Sequence, residues 1–147
     1  MFSFNGGVFK PTIFRVGQAV GMNGTGTVSN EPPVNILPSD YQTPQDVPVE
    51  ITGLSVSDEY PGTIEVTLTA TNGVATLGTL TGLSFSVGDG TNDSLMTFSG
   101  TLANVNAALA SVLFTPTASF FGTASLQIVS NDGTFEDDDT ISIDLLS

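Results

Sequence analysis

The sequence contains no cysteine, no histidine and no tryptophan, and only two cationic side chains, Lys10 and Arg15, stand against fifteen carboxylates. Each absence removes a class of chemistry. Without cysteine there is neither a disulfide framework nor a thiolate metal site. Without histidine there is no Ser-His-Asp triad, no Cys-His pair and no imidazole metal centre. One lysine and one arginine do not make a phosphate-handling constellation. A net charge of -13 repels nucleic acid and anionic membrane, whose binding depends on Lys and Arg releasing counterions. No apolar run approaches the ~20 residues that a membrane-spanning helix needs. A carboxylate pair of the glycoside-hydrolase kind survives this elimination, but sugar sites usually want aromatic platforms, and Tyr41 and Tyr60 are the only tyrosines.

What is present is unevenly spread. Residues 1–30 carry both cations, four of the ten phenylalanines and no acid, whereas residues 31–147 carry all fifteen carboxylates. The opening MFSFNGGVFKPTIFRVG does not read as a secretory signal, because Lys10, Pro11 and Arg15 interrupt the place of the apolar h-region. The expectation is synthesis in the cytoplasm. In GVFKPTIFRV, apolar residues fall on both sides of an extended chain, and Phe side chains dominate interface energetics. Residues 1–30 are therefore expected to form an extended anchoring arm, with Phe2, Phe4, Phe9, Lys10, Ile13, Phe14 and Arg15 as its partner-binding set. The competing reading folds this arm back as an extra strand on its own sheet edge.

Residues 21–48 are dense in Gly, Pro, Asn, Ser and Thr, so that 31–46 read as a linker and lead-in loop, with a β domain over 47–147. From Val47 the pattern becomes strand-like. In TIEVTLTATNGVATLGTL, Ile64, Val66 and Leu68 alternate with Glu65, Thr67 and Thr69, so one face is buried and one is wet. Asn72-Gly73 is the strongest hairpin signal in the chain. SFSVG, LMTFSG, SVLFTPT, ASLQIVS and TISIDLL supply further short strands between the turns GDGTND, TASFFG and NDGTFEDDD, with EDDD at 136–139 expected at a solvated hairpin tip. The spacing predicts an all-β, antiparallel sandwich. TLANVNAALASVL interrupts it: Leu102, Val105, Leu109 and Val112 recur at helical spacing and Thr101 is placed to cap the first turn, which predicts a short helix near 102–110 closing the core.

The succession ITGLSVSDE, TIEVTLTATNGVATL, TGLSFSVGDGTND, MTFSGTLANVNAALASVLFTP, FFGTASLQIVSNDG and DTISIDL resembles the cadherin-like tandem repeat of large bacterial adhesins and RTX-type proteins. The resemblance runs from about Pro33 to Leu146. It implies an immunoglobulin- or cadherin-like β-sandwich that is non-catalytic, structural or adhesive, and commonly associated with calcium. The positions matching the family's calcium pole are Asn30, Glu31, Asp58 and Asp132, although Glu59 and Tyr60 replace the family's second aspartate after the early strand. A separate candidate is GDGTND, where Asp89, Asn92 and Asp93 offer oxygens on one loop. No cofactor is required, and calcium is the ion that these positions would take.

A module without catalytic groups acts by attachment. An acidic sandwich carrying a greasy, weakly basic arm fits a bacteriophage virion component, a capsid decoration or cement protein, made in the host cytoplasm and placed on the virion surface. Its expected partner is the major capsid protein or another virion protein, in a homo-oligomeric or symmetric array. The alternative is a calcium-associated adhesin or matrix module, extracellular or at the cell surface.

Overall fold

The computed structural model describes residues 30–59 and 62–147. The candidate arm residues Phe2, Phe4, Phe9, Lys10, Ile13, Phe14 and Arg15 lie outside the described residues, as does Tyr60. The body from Glu31 to Ser147 is an all-β sandwich with one short helix. Its strands are β1 (Val34–Ile36), β2 (Tyr41–Pro44), β3 (Val49–Thr52), β4 (Ser55–Ser57), β5 (Thr63–Thr71), β6 (Gly73–Leu77), β7 (Ser84–Val87), β8 (Leu95–Thr101), β9 (Ser111–Pro116), β10 (Gly122–Asn131) and β11 (Glu136–Leu146), with helix α1 (Leu102–Leu109) between β8 and β9.

A six-stranded sheet, in the order β2-β11-β10-β5-β8-β7, and a three-stranded sheet, β3-β9-β6, share one hydrophobic core; β1 and β4 form a separate pair. The alternation in β5 sets the large sheet's two faces. Ile64, Val66, Leu68 and Ala70 point inward, and Glu65, Thr67 and Thr69 point outward. The register then stacks like on like, with Val66 beside Phe98 and Leu68 between Met96 and Ile128. Facing them from the small sheet are Ile51, Ala75, Leu77, Val112 and Phe114. Each large side chain in this core is removed from water almost completely, a gain of roughly 1.5–3 kcal/mol apiece against an exposed reference.

Helix α1 carries the chain from the large sheet to the small one and packs on β4, β5, β8 and β9. The Thr101 side chain accepts from the Asn104 amide at 3.2 Å, the cap that the sequence predicts. Val105, Ala108 and Leu109 are buried, while Val112 belongs to β9 and reaches the same core from a strand. On the helix flank, Asn106 accepts from the Val56 amide at 2.7 Å and donates to the Val56 carbonyl at 2.9 Å. Its side-chain amide thus stands in for a neighbouring strand along β4.

Three expectations need correction. The linker expected over 31–46 contains β1 and β2, and Pro33, Asn35 and Thr43 within it are buried, so the sandwich begins before Val47. Asn72-Gly73 is not a hairpin: β5 pairs with β8 and β10, β6 pairs with β9, and the chain changes sheets at this corner. Asn72 takes the left-handed φ of 63° that made the pair look like a hairpin turn, and Gly73 is required because a Cβ there would collide with the Phe114 ring and meet the Thr115 carbonyl at 2.7 Å. EDDD is not a tip; residues 136–139 open β11 and pair with β10, leaving the turn to 132–135. The expected antiparallel sandwich is what the structure has, with one parallel pairing added where β2 joins β11.

Candidate functional site

The inward face of β10 runs Ala124, Leu126, Ile128 and then Ser130, so a hydroxyl ends the apolar row with no exposed surface. Its neighbours on β11 continue the change, because Asp137 pairs with Ser130 and Asp139 with Ile128. A buried hydroxyl without a partner costs on the order of 1–3 kcal/mol. Asn35 supplies that partner: its Oδ1 accepts from Ser130 Oγ at 2.7 Å, and its Nδ2 donates to the Asp137 carbonyl at 2.8 Å, Asp139 Oδ2 at 3.2 Å and the Ile128 carbonyl at 3.4 Å. The Asn35 backbone amide adds a bond to Asp137 Oδ2 at 2.7 Å. Strand β1 therefore docks through a polar residue, with Val34 and Ile36 left about half exposed on its other face. This cluster lies at the end of the sandwich where a calcium pole was expected, and its acids are spent on holding a strand.

The calcium candidates behave similarly. Asp132 Oδ1 accepts from the amides of Thr134 and Phe135, both at 2.8 Å, and braces the β10–β11 turn. In GDGTND, Asp93 Oδ2 accepts from the amides of Asp89 and Gly90 at 2.8 and 2.7 Å, and Asp89 Oδ1 accepts from the Thr91 amide at 3.0 Å. Asn92 exchanges hydrogen bonds with Thr76 on β6, and Ala75 bridges to Asp93 through the backbone. The loop is thereby folded over β6. Gly90 is buried beneath it at φ 86°, where a Cβ would meet Leu80 and Phe85. Glu31 is exposed, Asp58 is half-buried, and Asn30, Asp58 and Asp132 all have interaction partners. No group of three or more His, Cys, Asp or Glu among the described residues is arranged to hold a metal ion. At Asp89, Asp93 and Asp132 one carboxylate oxygen is already turned onto backbone amides, whereas calcium takes six to eight oxygens turned toward the ion.

For carboxylate-pair chemistry, two acids must share a cleft. Asp40 and Asp144 both line a surface hollow of about 610 Å³ at the β2 edge of the large sheet, with Tyr41, Gln42, Thr123 and Ser142. Asp40 is exposed and its Oδ1 accepts from the Ser142 amide at 3.0 Å. The other lining side chains are a glutamine, a tyrosine and two hydroxyls, and the hollow offers no buried apolar wall of the kind that raises a catalytic acid's pKa. The sequence reading missed this hollow because its acids lie about a hundred residues apart, Asp40 just before β2 and Asp144 within β11, and carry no motif.

No helix among the described residues is long and apolar enough to cross a membrane. No protein-family model matches the chain, and no curated protein matches it. The cadherin-like resemblance is thus supported at the level of a β-sandwich and no further. Among solved structures, the chain is similar to a cohesin module from a Clostridium perfringens family 33 glycoside hydrolase, at 10% identity and a TM-score of 0.40, covering 81% of this chain and 99% of that one.

Proposed function

We propose that the chain is a non-enzymatic structural protein, a decoration or cement component of a bacteriophage virion, in which residues 1–30 attach to the particle and the acidic sandwich faces outward. The observation that carries this reading is the segregation of residue types. Both cations and four phenylalanines sit in the first thirty residues, and the remaining 117 contain fifteen acids and no Lys or Arg. The acids whose contacts are defined in the body brace turns and strands, as Asp93, Asp132, Asp137 and Asp139 do. A surface of one charge sign keeps copies soluble and apart, and large aromatic side chains gathered elsewhere are what an attachment surface uses.

The test is particle occupancy. Full-length protein and a Phe9→Ser/Phe14→Ser double variant are mixed with particles stripped of the protein, and the bound fraction is measured by quantitative mass spectrometry. The double variant is expected to lose at least about tenfold in occupancy at limiting concentration, since each buried Phe contributes on the order of 1.5–3 kcal/mol. Equal occupancy would refute attachment through this segment. Absence of the protein from purified particles would refute the virion assignment itself.

A further inference from the structure

The geometry points to the hollow at the β2 edge as a seat for a guanidinium group, the side chain of an arginine presented by a protein partner. Three strands build it. Gln42, Asp144 and Thr123 form one cross-strand row over β2, β11 and β10, and Ser142 and Asp40 sit beside it. Neighbouring strands are about 4.8 Å apart, so this row spans roughly 10 Å, wide enough for a planar five-donor fork and the end of its stem.

The parts are held in place before any ligand arrives. Asp40 is fixed by the Ser142 amide at 3.0 Å, a bond that also ties the start of β2 to β11. Between Asp40 and Gln42, the Tyr41 hydroxyl accepts from the Thr52 amide at 3.1 Å and donates to the Thr52 carbonyl at 3.3 Å. That anchor to β3 immobilises the short strand that carries two of the lining side chains. A site prepared in this way loses little conformational entropy on binding.

The chemistry of the lining selects the ligand. Asp40 and Asp144 only accept hydrogen bonds, and Gln42, Thr123 and Ser142 each offer a further acceptor oxygen. The backbone of Asp144 is paired with β10 and β2, and its side-chain carboxylate makes no hydrogen bond or ion pair among the described residues. No Lys or Arg occurs anywhere in residues 31–147, so the body has no cation of its own to place there. A neutral sugar matches hydroxyl-rich linings, but it leaves two carboxylates uncompensated. An arginine supplies charge and a fork of donors together, and charge-assisted bonds of this kind are about twice as strong as neutral ones. Its named lining residues all fall within 40–144, so its fate does not decide the attachment proposed for residues 1–30.

The experiment follows backbone amide shifts by ¹⁵N–¹H NMR on the full-length chain. The probe is acetyl-Gly-Arg-Gly-amide, compared with its citrulline analogue, with calcium chloride and with methyl glucoside. The arginine peptide is expected to move the amides of Gln42, Thr123, Ser142 and Asp144 saturably. The citrulline peptide, which keeps the shape and loses the charge, is expected to bind about tenfold or more weakly, as is the arginine peptide to Asp144→Asn. Asn replaces an acid with no structural bond here, so that variant keeps the fold, and its unchanged remote amides verify this. Equal binding of arginine and citrulline, no saturable shift with arginine, or a response unaffected by Asp144→Asn overturns the proposal. So does tighter occupancy of the same amides by calcium or by the glucoside, which would make the hollow a metal or sugar site.

Discussion

Asn35→Ala is the substitution expected to cost this sandwich the most for the fewest atoms removed. The side chain makes three donor contacts and one acceptor contact, one of the donors reaching the Asp139 carboxylate. A neutral hydrogen bond contributes about 0.5–1.5 kcal/mol net and one to a charged group about 1.5–3. The bond at 3.4 Å counts for little, and the Asn35 backbone amide keeps its bond to Asp137. Truncation also strands the fully buried Ser130 hydroxyl, at a further cost of about 1–3 kcal/mol. The expected loss is about 3–4 kcal/mol, near the top of what single substitutions do. With a urea m-value of about 1.5–2 kcal/mol/M, the unfolding midpoint should fall by about 2 M. The cycle with Ser130→Ala isolates the cause: the second substitution removes the stranded hydroxyl, so the double variant should be more stable than the sum of the singles by about 1 kcal/mol or more. A loss under about 1 kcal/mol for Asn35→Ala, or strictly additive singles, would refute the view that one asparagine docks β1.

Three further substitutions probe other parts of the same logic. Asp93→Ala removes the acceptor of two loop amides and should destabilise by about 1–3 kcal/mol while exposing residues 88–94 to limited proteolysis, an effect that Asp93→Asn should largely spare. Gly73→Ala forces a methyl group into the Phe114 ring and should lower thermal stability by about 1–3 kcal/mol, with the loss eased when Phe114 is shortened to Leu in the same chain. Thr101→Ala deletes the cap of α1 and should cost about 1 kcal/mol in urea unfolding, which Thr101→Ser should restore.

Elements that depend on periodicity could be read from the chain alone. The period of two in TIEVTLTAT gives β5 with both faces correctly assigned, and Leu102, Val105 and Leu109 with Thr101 ahead of them give α1 and its cap. Their signals are local, and the tertiary structure agrees with them. At Asn72-Gly73 the local signal was also real, since Asn72 does take the left-handed conformation, but a turn says nothing about which strands it joins. Pairing is decided by the register of the partners: β5 is already flanked by β8 and β10, so the chain leaving it can only enter the other sheet. Strand β1 was hidden for a different reason. Its two apolar residues point outward and its one inward residue is polar, so binary patterning assigns VNI to a loop, and the partner that makes sense of Asn35 lies ninety-five residues away at Ser130.

The acids were the hardest residues to read, because one side chain serves several purposes that look alike in sequence. Carboxylates at alternate positions of a Gly-rich loop suit a metal ion, and they suit equally the amides of the loop itself. Which use wins depends on whether the loop amides have other acceptors. In GDGTND the amides of Asn92 and Asp93 find acceptors on β6, in Thr76 and Ala75, whereas those of Asp89 and Gly90 do not, and Asp93 takes up both. Asp132 does the same for the turn at 132–135, and Asp137 does it for a strand. A chain with two cations among its ionisable groups cannot satisfy its acids by ion pairing, so backbone amides become their partners. By the same reasoning, an acid such as Asp144, which holds no amide among the described residues, sits where the fold gives it nothing to do and where a cation brought by another molecule has the most to gain.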